Sequence, residues 1–240
     1  MLRIIGLNID KKFSLFSIIF MMLSILIITL ICCINASFNF NDYDTLSNYK
    51  VLNEIYLCES LELIELITVF FIILLVELEL FYNTNNFDAY FISLKGRSKY
   101  FFAKYISYII LIFLFIAIVF SGYLIIYLIR FQTIRYVLFI LKSFFTYLIY
   151  LLFMFSISFF FLNLLNNYFS AFFVFLYFWL SKLIENNSEI TKVLLPKVVI
   201  NFQEENVSFN CEAIVLIIFI VVISYATKKL YEYKDLKINS

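Results

Sequence analysis

Three carboxylates, Glu65, Glu77 and Glu79, stand in an apolar part of the chain, where acidic side chains can pass protons through a membrane. From Glu65 to Glu77 a helix rises roughly 18 Å, at about 1.5 Å per residue. The two carboxylates therefore fall near opposite ends of one membrane crossing, and the sequence shows no charged partner at the midplane. The spacing predicts solvated carboxylates at the membrane surfaces rather than a proton relay.

The cysteines do not form a metal-binding pattern. The chain has no histidine, and no pair among Cys32, Cys33, Cys58 and Cys211 has CxxC spacing. Cys32 and Cys33 lie in an apolar run, where cysteine behaves as a small hydrophobic residue. Cys58 and Cys211 both fall near the predicted outer ends of helices. They could form a disulfide bond or stay as two thiols.

Two absences limit the enzymatic chemistry. Without histidine, the chain cannot build a Ser-His-Asp or Cys-His nucleophile or an HExxH zinc site. Its three glycines, at positions 6, 96 and 122, cannot form a phosphate-binding glycine loop. We expect a chain that binds no cofactor and does not hydrolyse ATP by itself. Its net charge of +1 gives no reason to expect nucleic-acid binding.

The composition explains where these few polar groups are placed. The chain is 64% hydrophobic, with 32 Phe and 18 Tyr, and the stretch Ser143–Ser181 has no charged side chain. A soluble domain of 240 residues cannot bury so much apolar surface, whereas a bilayer solvates it on every side. The chain is therefore predicted to be a polytopic membrane protein.

Runs that are poor in charge predict the membrane spans, since one helical crossing takes about 20 residues. The sequence predicts an all-α fold of six transmembrane helices in one domain over residues 1–240, with spans at about 13–34, 63–82, 105–129, 143–162, 168–184 and 211–227. The loop around Pro196 includes an apolar segment, Val193–Ile200, that is too short to cross. It predicts a short interfacial or re-entrant helix.

Basic residues predict the orientation, because they concentrate on the cytoplasmic side of membrane proteins. Three clusters fall on one side of the six-span arrangement: Lys11 and Lys12; Lys95, Arg97, Lys99 and Lys104; Lys228, Lys229, Lys234 and Lys237. Both termini are therefore predicted to be cytoplasmic in a multi-pass plasma-membrane protein. Arg130, Arg135 and Lys142 go against this arrangement, because it places them on the outer side.

An amphipathic segment separates the second and third predicted spans. Phe87, Tyr90, Phe91 and Leu94 recur at helical spacing and give one apolar face. Asn85 or Asn86 can cap the start of such a helix, and Gly96 can end it. A helix of this kind lies flat on the membrane or docks into a groove of a partner. The alternative is a connector whose basic residues only set the topology.

The order of these features resembles the permease subunits of ABC-2 type transporters. In that family an acidic residue ends the second span, and a Gly-Thr pair, a short coupling helix, a Pro-x-x-Arg element and a Gly-Lys pair follow. The corresponding residues here are Glu79, Asn85-Asn86 in place of Gly-Thr, Phe87–Phe91, Leu94–Arg97 and Ala103-Lys104. Two later segments are also similar to the family: Asn166–Ala171 to its turn between spans four and five, and Tyr231–Leu236 to its C-terminal tail.

The resemblance implies a function. The chain would be a permease that pairs with a second permease subunit, the same or similar, and with a cytoplasmic ABC ATPase dimer that binds the ATP. The residues implied in coupling to the ATPase are Phe87, Asp88, Tyr90, Phe91 and Arg97, next to the acidic residues Glu77 and Glu79. The implied direction is export, as in bacterial self-protection against lantibiotic-type peptides or in drug efflux.

Two other classes of function are compatible with the same segments. A non-transporting scaffold or assembly protein could use the amphipathic segment to recruit a cytosolic partner. A proton-driven secondary transporter would need charged residues deep in its spans and helices broken by Gly or Pro, and the sequence shows neither.

Overall fold

The structure is a computed structural model that describes residues 46–83, 96–165, 169–183, 196–201, 206–209 and 211–233, together with Leu23, Ser24, Ile27, Ile31 and Lys192. Over these residues the chain is mostly helical. The helices are α1 (Leu46–Asn83), α2 (Arg97–Phe131), α3 (Val137–Leu165), α4 (Phe169–Leu183) and α5 (Ala213–Tyr233). Two short strands, β1 (Val198–Asn201) and β2 (Asn206–Phe209), lie between α4 and α5.

Three helices in the described part of the chain are long and apolar enough to cross a membrane. They are Arg97–Ile129 within α2, α3 over its whole length and α5 over its whole length. The predicted spans 105–129 and 143–162 lie inside the first two, and α5 begins two residues after the start of the predicted span 211–227. The prediction of a helical membrane protein is therefore confirmed.

The other predicted spans are placed differently. The span 63–82 lies within α1, a helix of 38 residues that begins well before it. The uncharged run of α1 between Glu65 and Glu77 is shorter than the about 20 residues of one crossing. The span 168–184 corresponds to α4, which has 15 residues. The span 13–34 lies outside the described residues except for Leu23, Ser24, Ile27 and Ile31, which are helical.

Ring contacts show that α2 runs antiparallel to both α1 and α3. Between α2 and α3, Phe101 lies near Phe159 and Phe120 near Phe144. Between α1 and α2, the rings of Phe71 and Phe115 stack with centroids 3.8 Å apart, and Tyr56 meets Phe131 near the end of α2. Aromatic side chains fill these interfaces, and each ring buries a large apolar area.

In the same way, α4 runs antiparallel to α3, and α5 runs antiparallel to α2. Phe173 of α4 stacks on Phe161 of α3, and Tyr177 lies near Phe153. Tyr231 of α5 lies near Phe101 of α2. The bundle therefore has two distinct ends. The end where α2 begins and α5 finishes is called the Arg97 end, and the end that carries β1 and β2 is called the hairpin end.

The hairpin corrects the prediction of a short helix over Val193–Ile200. Its last three residues, Val198 to Ile200, lie in β1, which pairs antiparallel with β2 in a register that sets Val198 opposite Phe209. These β-branched side chains suit an extended strand better than a helix. A two-stranded ribbon is marginal alone, and this one packs on α3, where Thr146 Oγ1 donates to the carbonyl oxygen of Val207 at 3.2 Å.

Candidate functional site

The Arg97 end begins with a backbone geometry that favours glycine. Gly96 is the N-cap residue of α2 and has φ 81° and ψ 147°, in a region that side chains with a Cβ rarely adopt. Its carbonyl oxygen accepts the Tyr100 N–H at 3.2 Å, which starts the helix. The glycine expected to end the amphipathic segment therefore marks a sharp boundary before α2.

Arg97 joins the start of α2 to the last described residues of the chain, at the C-terminal end of α5. Its Nη1 donates to the backbone carbonyl oxygen of Glu232 at 2.7 Å, in the last turn of α5. A guanidinium is favourable there because the C-terminal end of a helix carries partial negative charge. Phe101, one turn further along α2, packs on Tyr231 with ring centroids 5.5 Å apart. Two segments that carry the family resemblance, Leu94–Arg97 and Tyr231–Leu236, thus meet through Arg97 and Glu232.

The basic residues of this end lie among aromatic rings. Lys104 is buried, and its Nζ lies 5.8 Å from the Tyr100 ring centroid and 5.9 Å from that of Tyr231. Lys228 Nζ lies 4.8 Å from the Phe102 ring centroid. These distances are those of cation–π contacts, which are stronger where water is excluded. Lys104, predicted as part of a basic cluster that sets topology, therefore also holds α2 against α5.

A polar contact behind this end joins three helices. The Tyr105 hydroxyl of α2 lies 2.8 Å from Ser156 Oγ of α3 and 2.5 Å from Ser224 Oγ of α5. Each serine hydroxyl also donates to a carbonyl oxygen of its own helix. Hydrogen bonds between membrane helices fix their relative positions, since lipid offers no competing partner. Movement of α2 is therefore coupled to α3 and α5 at this level.

The structure tests only part of the predicted coupling site. Phe87, Asp88, Tyr90 and Phe91 lie outside the described residues. Glu77 and Glu79 fall in the last turns of α1, and their side chains are likewise outside the described part. Asn83 and Gly96, the described residues on either side of the segment, belong to two antiparallel helices, so the segment starts and finishes at the Arg97 end. Arg97, predicted to face a partner, makes an internal bond to α5.

The hairpin end contains a polar contact that the sequence analysis missed. Glu65 Oε2 accepts a hydrogen bond from Lys182 Nζ at 2.6 Å, which joins α1 to α4. The Glu65 side chain is 5% exposed and that of Lys182 is 47% exposed. The prediction of a solvated Glu65 is therefore wrong, because α4 covers this face of α1. The sequence signal for this partner was the apolar stretch that ends at Lys182, because the end of one predicted span has to lie near the end of another.

Two tyrosine hydroxyls bind the same part of α1. Tyr123 of α2 donates to the Leu57 carbonyl oxygen at 3.3 Å, and Tyr147 of α3 donates to the Leu61 carbonyl oxygen at 3.1 Å. Leu57, Leu61 and Glu65 are four residues apart and lie on successive turns of one helix face. We call these three positions the acceptor face of α1. It receives donors from α2, α3 and α4.

Cys58 and Cys211, both within the described part of the chain, are not joined by a disulfide bond. Each is half-buried. Burial raises the pKa of the Cys211 thiol above its usual range, because a thiolate is poorly solvated there. Cys211 lies between β2 and α5, at the hairpin end. The described residues include no group of three His, Cys, Asp or Glu side chains that could hold a metal ion.

The basic residues that opposed the predicted orientation lie at the hairpin end. Arg135 and Lys142 are exposed beside the turn between α2 and α3, with the Arg135 guanidinium 5.4 Å from the Tyr136 ring centroid. The backbone of Arg130 belongs to the last turn of α2. Arg97, Lys99, Lys228 and Lys229 lie at the opposite end. The positive charge is therefore divided between both ends.

Comparisons of the chain with models of protein families, with curated proteins and with solved structures find no match.

Proposed function

We propose that this chain is the membrane-spanning permease subunit of an ABC exporter, coupled to a separate cytoplasmic ATPase dimer. The observation that carries the proposal is the meeting of two sequence-distant segments at the Arg97 end, through the Arg97–Glu232 bond and the Phe101–Tyr231 contact. Both segments resemble ABC-2 permeases, and Phe87–Phe91 shortly precedes α2 in the sequence. A partner docked there would contact the helices that it has to move.

In this proposal the chain has six spans, with both termini cytoplasmic in the plasma membrane. The antiparallel contacts of the described helices support an alternating path through the bilayer. The apolar run 13–34 supplies the first crossing, and α1 and α4 supply the second and fifth. The Arg97 end is then cytoplasmic and the hairpin end faces outward. A second permease subunit, the same or similar, completes the path for the substrate.

The described contacts support a mechanical mechanism. Closure of the ATPase dimer on ATP pushes the helix at Phe87–Phe91, and Gly96 passes the displacement directly into α2. The Arg97–Glu232 bond and the Lys104 cation–π contacts make α5 follow α2, and Tyr105 extends the coupling to α3. The bundle then shifts between two packed arrangements that expose the substrate path to opposite sides. The ATPase subunit binds and hydrolyses the ATP, and this chain contributes no catalytic residue.

The experiment is affinity purification of the tagged chain from its native membranes, with and without alanines at Phe87, Tyr90 and Phe91, followed by a test of whether an ATPase co-purifies. Truncation of one buried aromatic anchor at an interface costs about 2 kcal/mol or more, which is about 30-fold in affinity. The triple variant should lose the ATPase while it still accumulates in the membrane. Lys99→Ala is the matched control, because an exposed charge contributes about 0–1 kcal/mol. Unchanged association of the triple variant would contradict the proposal.

A proton-driven secondary transporter is the second candidate, and one observation favours it. Glu65 is a buried carboxylate that is paired with Lys182 inside the bundle, and buried ionisable residues of membrane proteins often lie on ion pathways. The two candidates differ in energy source. Transport that stops when the ATPase is deleted supports the exporter. Transport that persists without the ATPase but stops when a protonophore collapses the proton gradient supports the secondary transporter.

A further inference from the structure

The hairpin end is held closed by contacts of two chemical kinds. The bonds from Tyr123 and Tyr147 end on backbone carbonyl oxygens of α1, which keep their acceptor character whatever the charge state of the protein. The contact between α4 and the acceptor face of α1 joins two charged side chains, Glu65 and Lys182. The polar contact that joins α4 to α1 is therefore one that loses its strength when either charge is removed or paired elsewhere.

The geometry points to the Glu65–Lys182 pair as a reversible closing contact, which holds the end of α4 against α1 and seals the hairpin end of the bundle. When the pair separates, the Lys182 end of α4 moves away from α1 and the interior beside Tyr177 becomes open to solvent. This inference concerns the chain by itself and does not depend on the proposed coupling to an ATPase.

The two partners of the pair differ in what they can do when it breaks. Lys182 is half-exposed, and its Nζ already lies 5.7 Å from the Phe178 ring centroid, so it can turn to solvent without losing all its contacts. Glu65 is buried on α1 and has no such freedom. The pair is thus released from the α4 side, which makes α4 the moving element and α1 the fixed one.

The ring contacts of α4 place its pivot at the other end. Phe173 stacks on Phe161 with centroids 4.8 Å apart, near the start of α4 and the end of α3. Aromatic stacking of this kind does not depend on ionisable groups. Between this stacked pair and Lys182 lie about two and a half turns of α4. A small rotation about the stacked rings moves the Lys182 end by several ångströms.

A native thiol reports the opening. Cys211 lies between β2 and α5 at the hairpin end, where the Lys182 end of α4 also lies, and it is half-buried. Only the thiolate reacts with a maleimide, and burial holds the pKa of Cys211 above its usual range. Labelling should therefore be slow while α4 is closed, and should speed up on opening for two reasons: access improves, and solvation favours the thiolate.

The experiment measures the rate at which a membrane-impermeant maleimide labels Cys211 in the full chain, produced without any ATPase and carrying alanine at Cys32, Cys33 and Cys58. Lys182→Met should raise the rate about tenfold or more, whereas Lys182→Arg, which keeps the charge, should leave it within about twofold. Lys142→Met is the matched control, since Lys142 is an exposed lysine at the same end, and it should leave the rate unchanged.

A folding defect is separated from opening by a second variant. Glu65→Gln removes the charge pair without leaving a buried carboxylate, so the chain should still elute as a single species in detergent and should also label about three- to fivefold faster. If Lys182→Met aggregates, Glu65→Gln decides the outcome. If a folded Glu65→Gln or Lys182→Met chain is labelled no faster than the chain that keeps both residues, the inference is overturned. This holds even if the ATPase co-purifies as proposed.

Discussion

Lys182→Met should destabilise the protein more than Glu65→Gln, although both substitutions remove the same ion pair. The reason is the unequal burial of the partners, 5% exposed for Glu65 and 47% for Lys182. Without Lys182, the carboxylate is left in a low-dielectric environment with no compensating charge. Without Glu65, the ammonium group can turn away from the bundle, because about half of the Lys182 side chain is already exposed.

The magnitude follows from two limits. Removal of one partner from a fully buried pair costs about 3–5 kcal/mol, and an exposed pair contributes about 0–1 kcal/mol. Because Lys182 is half-exposed, its removal should lower the free energy of unfolding by an amount between these limits, about 2–3 kcal/mol. Glu65→Gln should cost about 0–1 kcal/mol, because an amide keeps the shape without the charge. The double variant should cost no more than about 1 kcal/mol, so the two substitutions are strongly non-additive.

The assay is thermal unfolding of the four chains (parent, two single variants and double variant) in one detergent at a fixed heating rate. A cost of about 2–3 kcal/mol in a chain of this length lowers the midpoint by about 5–10 °C. A fixed rate is needed because membrane-protein unfolding is often irreversible. The reasoning fails if Lys182→Met is no less stable than Glu65→Gln, or if the double variant loses the sum of the two single costs.

The remaining predictions concern the Arg97 end, the energy source and the topology. Gly96→Ala should lower stability by about 1–3 kcal/mol in the same unfolding assay, because φ 81° strains a residue with a Cβ although no heavy atom lies within 4 Å of the added carbon; a variant as stable as the parent would contradict this. Tyr105→Phe removes the hydroxyl that bonds Ser156 and Ser224 and should cost about 1 kcal/mol, with a loss of coupling between ATP hydrolysis and transport if the ATPase partner is found. The purified chain alone should release no phosphate from ATP, since it lacks a glycine-rich phosphate loop. Reporter fusions after Ser240, Lys50 and Glu189 should report inside, outside and outside; a C-terminal reporter active only outside the cell would exclude the six-span arrangement.

The sequence by itself was enough to predict a helical membrane protein and to locate its most apolar helices. A stretch such as Ser143–Ser181, with no charge, can be solvated only by lipid, and lipid allows few backbone structures other than helices. For that reason the predicted spans 105–129 and 143–162 fall inside α2 and α3. Gly96 was also predictable as a boundary, because a lone glycine after an amphipathic run favours a change of backbone direction.

The partners of the charged side chains could not be read from the sequence. Glu65 was expected to be solvated because its own segment contains no cation, but its partner is supplied by α4, far along the chain. Lys104 was expected to be part of a solvated basic cluster, but α5 places the Tyr231 ring beside it. Local periodicity describes which face of a helix is apolar, and it contains no information on which other helix covers that face.

The hairpin could not be predicted for the same reason, because it depends on neighbours that are distant in sequence. Val198 to Ile200 looked like part of a short helix from their apolar character, and their β-branched side chains became decisive only because a second strand and the surface of α3 were available to pair with them. The hydropathy of the sequence thus determined that the chain enters the membrane as helices. The packing of those helices decided which polar groups lose their water, because burial depends on neighbours that are distant in sequence.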